Sequence, residues 1–354
     1  MTLYLESPVY EHRFLNLEEE FSELIRSKDL QRKVDAGDDQ ITSLVACIEE
    51  AIAEAYRIDS GSQESHLFLQ RILYQINRMK LFWYDDLKNY ENEDSPFLFS
   101  IRSRIESAWQ GWELQQLDME GIANEDVVAE LEARVEKDLH PRLSETGRYI
   151  QNDITEAGYR RLMAILSVNG LVESSQLSRV LGGVGNEVQS MLTRIFLEEY
   201  GGGKLARKHS TFFEAMLNYF DMNAKPEAYL DLVPWSVLAD INHSFTLCER
   251  KKYFLRYAGG LLFTEVTTPA VFDSYKIAGE RLGFDETAVG YWDLHMKEDE
   301  RHGQWMLTDV ALPLAERYPD CANDIVLGYE QQRFLNIRSG QEMLQSILSA
   351  EEEA

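Results

Sequence analysis

The sequence predicts an all-α protein, on three observations. Apolar residues recur at i, i+3, i+4 and i+7 over much of the chain. No stretch alternates apolar and polar residues as a half-buried strand would, and most of the eight prolines fall where a helix would begin or end. The first stripe is Ile41, Leu44, Val45, Ile48, Ile52 and Ala55. A second, Leu69, Ile72, Leu73 and Ile76, is entered through Ser62, whose hydroxyl suits the free N–H groups of a helix start. Ser95 and Pro96 supply a cap and a first-turn proline before Phe97, Ile101, Ile105 and Trp109. Val127, Val128, Leu131 and Val135 form a fourth stripe, which Pro141 closes. His12, His66 and His140 stand apart from other chemistry-bearing groups and read as surface or packing residues. Residues 1–140 are therefore expected to be a helical support or dimerisation region.

Beyond Pro141 the helices lengthen and histidines fall beside carboxylates. One helix is expected over about 156–181, ended by Gly182 and Gly183, and another over about 187–219, interrupted by Gly201, Gly202 and Gly203. A third follows Pro234, and a fourth covers about 244–267, stopped by Pro269. A shorter one precedes Gly283, the next spans about 286–311 and ends at Pro313, and the last covers about 320–348. Residues 141–340 are expected to form the domain that carries the chemistry, and residues 341–354, with Glu351, Glu352 and Glu353, a frayed acidic tail.

Composition narrows the function classes. With 44% apolar and 11% aromatic residues the chain can bury a sizeable core. Its 61 acidic against 35 basic residues leave a net charge of -26 at pH 7. That field repels a phosphate backbone and an anionic lipid surface, so neither nucleic acid nor a membrane is expected as a partner. A cationic substrate or metal ions suit it. Cys47, Cys248 and Cys321 are few, widely spaced and free of any CxxC pair, which points to a cytoplasmic, reducing setting. No export signal is expected from the acidic first residues, and the longest apolar runs fall far short of a membrane span.

The strongest local signal is His295-Met296-Lys297-Glu298-Asp299-Glu300-Arg301-His302. At about 100° per residue, a four-residue step lands ~40° past one turn and a seven-residue step ~20° short of two, so His295, Asp299 and His302 share one face. Two imidazoles and a carboxylate stacked this way make a chelating edge, and Asp299 to His302 repeats the carboxylate-x-x-His step of di-iron bundles. The competing possibility is an exposed polar stripe, since Lys297, Glu298, Glu300 and Arg301 surround it. Tyr291, Trp292, Met296, Trp305 and Met306 flank it and argue for burial, where unpartnered carboxylates are costly. Imidazole with carboxylate suits iron, manganese or zinc, and the paucity of thiolates argues against iron–sulfur clusters. Zincin, nucleophile-elbow and phosphate-loop motifs are absent from the sequence; Gly201-Gly202-Gly203-Lys204 lacks the strand a nucleotide loop needs and reads as a helix break.

One helix cannot close a two-metal site, so other acids and histidines must contribute. Glu198 and Glu199 lead through the glycine run to His209, and helical phase cannot choose between them across the glycines. Glu265 is an acid in the otherwise apolar stretch 263–269; such a glutamate is either a ligand or hydrogen-bonded structure. Asp240 and His243 make a second carboxylate-x-x-His step that competes as a partner for Asp299 and His302, although it sits beside Asn242 and looks like a helix junction.

The segment Leu197-Glu198-Glu199-Tyr200-Gly201-Gly202-Gly203, followed by His209-Ser210-Thr211-Phe212-Phe213, resembles the Glu-x-Gly-x-Gly then His-x-x-x-Phe segment of the haem-oxygenase-like di-iron oxidases. Residues 263–269 look like that family's central Glu on a proline-terminated helix, and His295, Asp299 and His302 like its closing His-x-x-x-Asp-x-x-His motif. The resemblance covers roughly residues 139–329 and implies a haem-oxygenase-like helical bundle, preceded by a helical extension. Carried over residue by residue, it implies His209, Glu265, His295, Asp299 and His302 as ligands. It further implies a glutamate from the first core helix, best matched by Glu173, and Glu199 as the additional carboxylate of members that act as N-oxygenases; Glu156, Glu187 and Glu198 are rivals for these two places.

The resemblance further implies two iron ions cycling between ferrous and ferric states, with dioxygen as co-substrate. It implies oxidation of a small amine- or amino-acid-derived molecule: N-oxygenation, with Glu199 in a catalytic role, or oxidative carbon–carbon cleavage. A metal-free helical enzyme or binding module of the same fold is the alternative. An external electron donor and a homodimer are expected as partners.

Overall fold

The computed structural model describes residues 13–57, 61–83, 86–123, 126–183 and 185–354. His12 lies outside these residues, as do the side chains of Asp299 and Glu300. The described residues form helices and no strand, as the sequence predicts, and none of the helices is long and apolar enough to cross a membrane. They divide into two compact units: residues 13–117 with Trp235–Thr246, and Asp118–Pro234 with Leu247–Ala354.

The first unit holds α1 (Leu15–Ile25), α2 (Leu30–Asp35), α3 (Asp39–Ala55), α4 (Gln63–Asn77) and α5 (Pro96–Leu114). Side-chain oxygens of Asp38, Ser62 and Ser95 accept the free N–H groups at the starts of α3, α4 and α5. α3 buries Ile41, Leu44, Ile48 and Ala55. α4 is buried on nearly every face because residues 235–246 return to cover it. Asn242 donates to the Gln70 carbonyl at 2.8 Å, and Trp235 stacks on His66 with ring centroids 4.2 Å apart. His66 is a packing residue.

The second unit holds α6 (Met119–Ile122), α7 (Val127–Leu139), α8 (Glu145–Asn152), α9 (Glu156–Gly170), α10 (Glu187–Glu199) and α11 (His209–Tyr219). After α12 (Trp235–Cys248), most of which belongs to the first unit, come α13 (Phe254–Arg281), α14 (Glu286–Trp305), α15 (Leu312–Arg317) and α16 (Asn323–Glu352). α13 packs against both α14 and α16, and α11 against α14.

Four elements differ from expectation. α9 stops at Gly170 instead of reaching residue 181. The serines beyond it bond to nearby carbonyls, Ser175 to that of Val172 and Ser178 to that of Ser175, and such local bonds compete with helix. Ser174 sits in the left-handed region with φ 59°. Second, α13 begins at Phe254 instead of about residue 244, which lies within α12, and it runs through Pro269 to Arg281, taking in the shorter helix expected before Gly283. The ring removes the N–H that would bond the Glu265 carbonyl, but tertiary packing holds the helix together: Gly303 of α14 lies against that same carbonyl, where a Cβ would stand 3.3 Å from it. Third, α14 does not end at Pro313; residues Met306–Ala311 widen into a π-helical stretch that leads into α15. Fourth, residues 341–352 continue α16, and Glu351 accepts hydrogen bonds from the backbone N–H (2.7 Å) and hydroxyl (2.9 Å) of Thr155, the N-cap of α9.

Two glycines set the distance between α13 and α16. A Cβ on Gly259 would stand 1.9 Å from the Ile325 carbonyl oxygen, and one on Gly328 would stand 1.9 Å from the Arg256 carbonyl oxygen. Backbone cannot yield as a side chain does, so either alanine must push the helices apart. Gly259→Ala and Gly328→Ala are each expected to cost about 1–3 kcal/mol, measured by urea unfolding. Midpoints equal to wild type would contradict this account of the crossing.

Candidate metal centre

The centre is assembled at the places where helices of the second unit are interrupted. Glu199 is the last residue of α10. Gly201, Gly202 and Gly203 follow with φ of 60°, 62° and 78°, a conformation that costs other residues about 1–2 kcal/mol each. Gly201 lies so close to the Arg207 backbone that a Cβ would stand 2.4 Å from its carbonyl carbon. The run therefore folds the chain onto itself and sets His209, the first residue of α11, against Glu199, with Nδ1 3.0 Å from Oε2. Glu173 comes from the serine-rich turn after α9, where the Tyr291 hydroxyl donates to its Oε2. Glu265 faces inward from α13, and His295 and His302 face inward from α14.

These side chains converge. Glu173, Glu199, His209 and His295 are all buried and offer ligand atoms within 4.8 Å of one another. His295 Nε2 lies 3.5 Å from Glu173 Oε2 and 3.1 Å from His209 Nδ1. His302 Nδ1 lies 3.3 Å from Glu265 Oε2 and 3.5 Å from Glu199 Oε1. Glu199 thus turns one oxygen toward His209 and the other toward His302, linking two groups of donors. Asp299 occupies the expected turn of α14, but its side chain lies outside the description.

Electrostatics follow from this packing. Burial raises the pKa of Glu173 and outweighs the attraction of His295 and His209. Burial also opposes ionisation of Glu199, but the His209 hydrogen bond and the imidazoles of His209, His295 and His302 prevail and hold it below the usual carboxylate range. Burial lowers the pKa of His209, and Glu199 more than reverses that. Such a group of acids in a low-dielectric interior needs compensating positive charge. Glu173 Oε1 is buried without a hydrogen-bond donor. Carboxylate and imidazole atoms this close, with a buried acceptor oxygen to spare, fit a transition-metal ion.

All the rivals but Glu198 fall elsewhere. Glu156 pairs with Arg160 at 2.8 Å, and Glu187 is exposed at the start of α10, 3.9 Å from Arg317. Asp240 and His243 belong to the first unit, where His243 Nδ1 faces Gln110 at 3.3 Å and Glu113 at 3.8 Å. Glu198 reaches His302 Nε2 at 3.1 Å, from the side opposite Glu265. Sequence reasoning passed over Glu298, whose Oε2 lies 3.0 Å from His209 Nε2. A three-residue step from His295 falls ~60° short of a full turn, so Glu298 flanks the same stripe and could have been found by counting i+3 as well as i+4.

An all-α fold around a buried imidazole–carboxylate cluster agrees with a haem-oxygenase-like bundle whose site suits iron. Residues 160–334, just under half of the chain, match the family model described as iron-containing redox enzyme, which supports an oxidoreductase. A nitrosourea synthase from Streptomyces achromogenes subsp. streptozoticus is 30% identical over 169 residues, or 47% of this chain. The match spans 35% of that relative's own length.

The glycine run gives a direct test of assembly. Gly201→Ala and Gly202→Ala carry similar φ strain, but a Cβ on Gly202 meets nothing within 4 Å. Gly201→Ala is therefore expected to lose metal far more readily than Gly202→Ala, as read by elemental analysis after iron loading. Equal retention by both would show that the contact with Arg207 does not place His209.

Proposed function

We propose that the chain is an oxygen-activating non-haem di-iron oxygenase that oxidises a small amine- or amino-acid-derived substrate, with nitrogen as the favoured site of oxidation. The observation that carries the two-ion reading is Glu199, whose two oxygens face different histidines at 3.0 and 3.5 Å. Glu173, Glu199, His209 and His295 would hold one ion. Glu265 and His302, with the second oxygen of Glu199, would hold the other, and Asp299 joins them on the strength of its sequence motif. Bound iron supplies one-electron redox chemistry and a site for dioxygen, which side chains alone lack.

The chain's own residues supply charge balance, dryness and position. Glu173, Glu199, Glu265 and Asp299 bring four negative charges, matching two ferrous ions, so the reduced site is neutral and tolerable in a dry interior. Phe213, Phe272 and Trp292 form an aromatic wall beside Tyr291 and His295, keeping water from the Glu173 side. Tyr291 holds Glu173 by its hydroxyl, and the Ser174 hydroxyl holds Glu199 at 3.0 Å. The relative named nitrosourea synthase supports nitrogen as the atom oxidised, and Glu199 is the carboxylate that the resemblance ties to that reaction. Carbon–carbon cleavage is the competing outcome for the same site. Electrons would come from an external donor, and the functional unit would be a homodimer.

Anaerobic titration with ferrous ion is expected to load about two ions per chain, and exposure to air to consume dioxygen faster when the right amine is present. Glu199→Ala, which removes the shared carboxylate, should lose more than half of the bound iron. A wild-type chain that takes up no iron would overturn the proposal.

A further inference from the structure

Each histidine of the centre is held from two sides. His209 presents Nδ1 to Glu199 at 3.0 Å and Nε2 to Glu298 at 3.0 Å. His302 presents Nδ1 to Glu265 at 3.3 Å and to Glu199 at 3.5 Å, and Nε2 to Glu198 at 3.1 Å. His295 presents Nε2 to Glu173 at 3.5 Å and Nδ1 to the Tyr291 carbonyl at 3.0 Å. The inner partners are buried carboxylates, whereas the side chains of Glu198 and Glu298 are 26% and 27% exposed. Glu198 is in turn anchored by Arg301 at 3.0 Å and Arg194 at 3.7 Å.

A neutral imidazole carries one donor and one acceptor nitrogen, and whichever nitrogen meets an outer acceptor keeps the proton. The opposite nitrogen then offers its lone pair, and an ionised acceptor makes that lone pair more basic. We propose that Glu198 and Glu298 are positioning residues that hold the Nε2 protons of His302 and His209, so that these two histidines bind metal through Nδ1 while His295, held by the Tyr291 carbonyl, binds through Nε2. This rests on the metal-binding function proposed above. Glu198, Glu298 and His302 also lie close enough together to suggest an additional ion of their own. That ion would need His302 Nε2 and would have to draw Glu198 away from Arg301, while His302 Nδ1 already faces the inner acids.

The test uses the full chain with redox-silent ions: Mn2+ titration followed by electron paramagnetic resonance, and long-range 1H–15N spectra of the Zn2+-loaded wild type. Glu198→Ala and Glu298→Ala are each expected to weaken Mn2+ binding about 10–100-fold, yet to reach the wild-type number of ions at saturation. Glu198→Gln and Glu298→Gln keep an acceptor oxygen and should lose less. With Zn2+ bound, His209 and His302 should carry their proton on Nε2 and His295 on Nδ1. A lower saturating number of ions in either alanine variant would make that glutamate a ligand and overturn the proposal. Unchanged affinities, or a proton on Nδ1 of His209 or His302, would also overturn it. If the wild type binds these ions and the variants match it, only the positioning role falls; if the wild type binds none, the functional proposal falls with it.

Discussion

Glu173, Glu199 and Glu265 are buried together among three imidazoles, and the second unit is organised around that fact. A buried carboxylate is tolerated only with compensating charge and satisfied oxygens. Here the imidazoles provide part of that compensation, and Glu199 sits where the two donor groups meet. The chain could bury these acids more cheaply as leucines. Their presence in the interior, with Glu173 Oε1 lacking a donor, is the physical reason to place a cation there.

The backbone supplies the positions through local departures from ideal helix. The positive-φ glycines after α10 bring His209 against Glu199, the serine-rich turn after α9 carries Glu173, and Pro269 frees the Glu265 carbonyl where Gly303 lets α14 approach. Gly259 and Gly328 let α16 press on the other side of α13, so the helix bearing Glu265 is held between two neighbours. A helix break that costs stability by itself thus contributes a side chain to the cluster. Such placements fit a site where rigidity matters more than regular secondary structure.

Much of this was legible from residue order. The α14 stripe gave His295 and His302 by arithmetic, and the glycine run marked the turn before His209. Spacing alone could not separate Glu199 from Glu198, because three glycines erase helical phase before His209; the resemblance favoured Glu199, and the fold buries it while leaving Glu198 part-exposed beside Arg301. Pro269 misled the boundary of α13, since a proline's local cost is overridden when neighbouring helices clamp both sides. The early end of α9 was hidden because hydroxyl-to-carbonyl bonds of serine leave no apolar pattern. Glu298 was hidden because, among Lys297, Glu300 and Arg301, it reads as part of an exposed polar surround.

Anomalous diffraction at the iron edge, from crystals loaded anaerobically with ferrous ion, tests the central claim most directly. Two peaks, one near Glu173, His209 and His295 and one near Glu265 and His302, are the result that the proposed two-ion site predicts. A loaded crystal with no peak among residues 173, 199, 209, 265, 295 and 302 would contradict it.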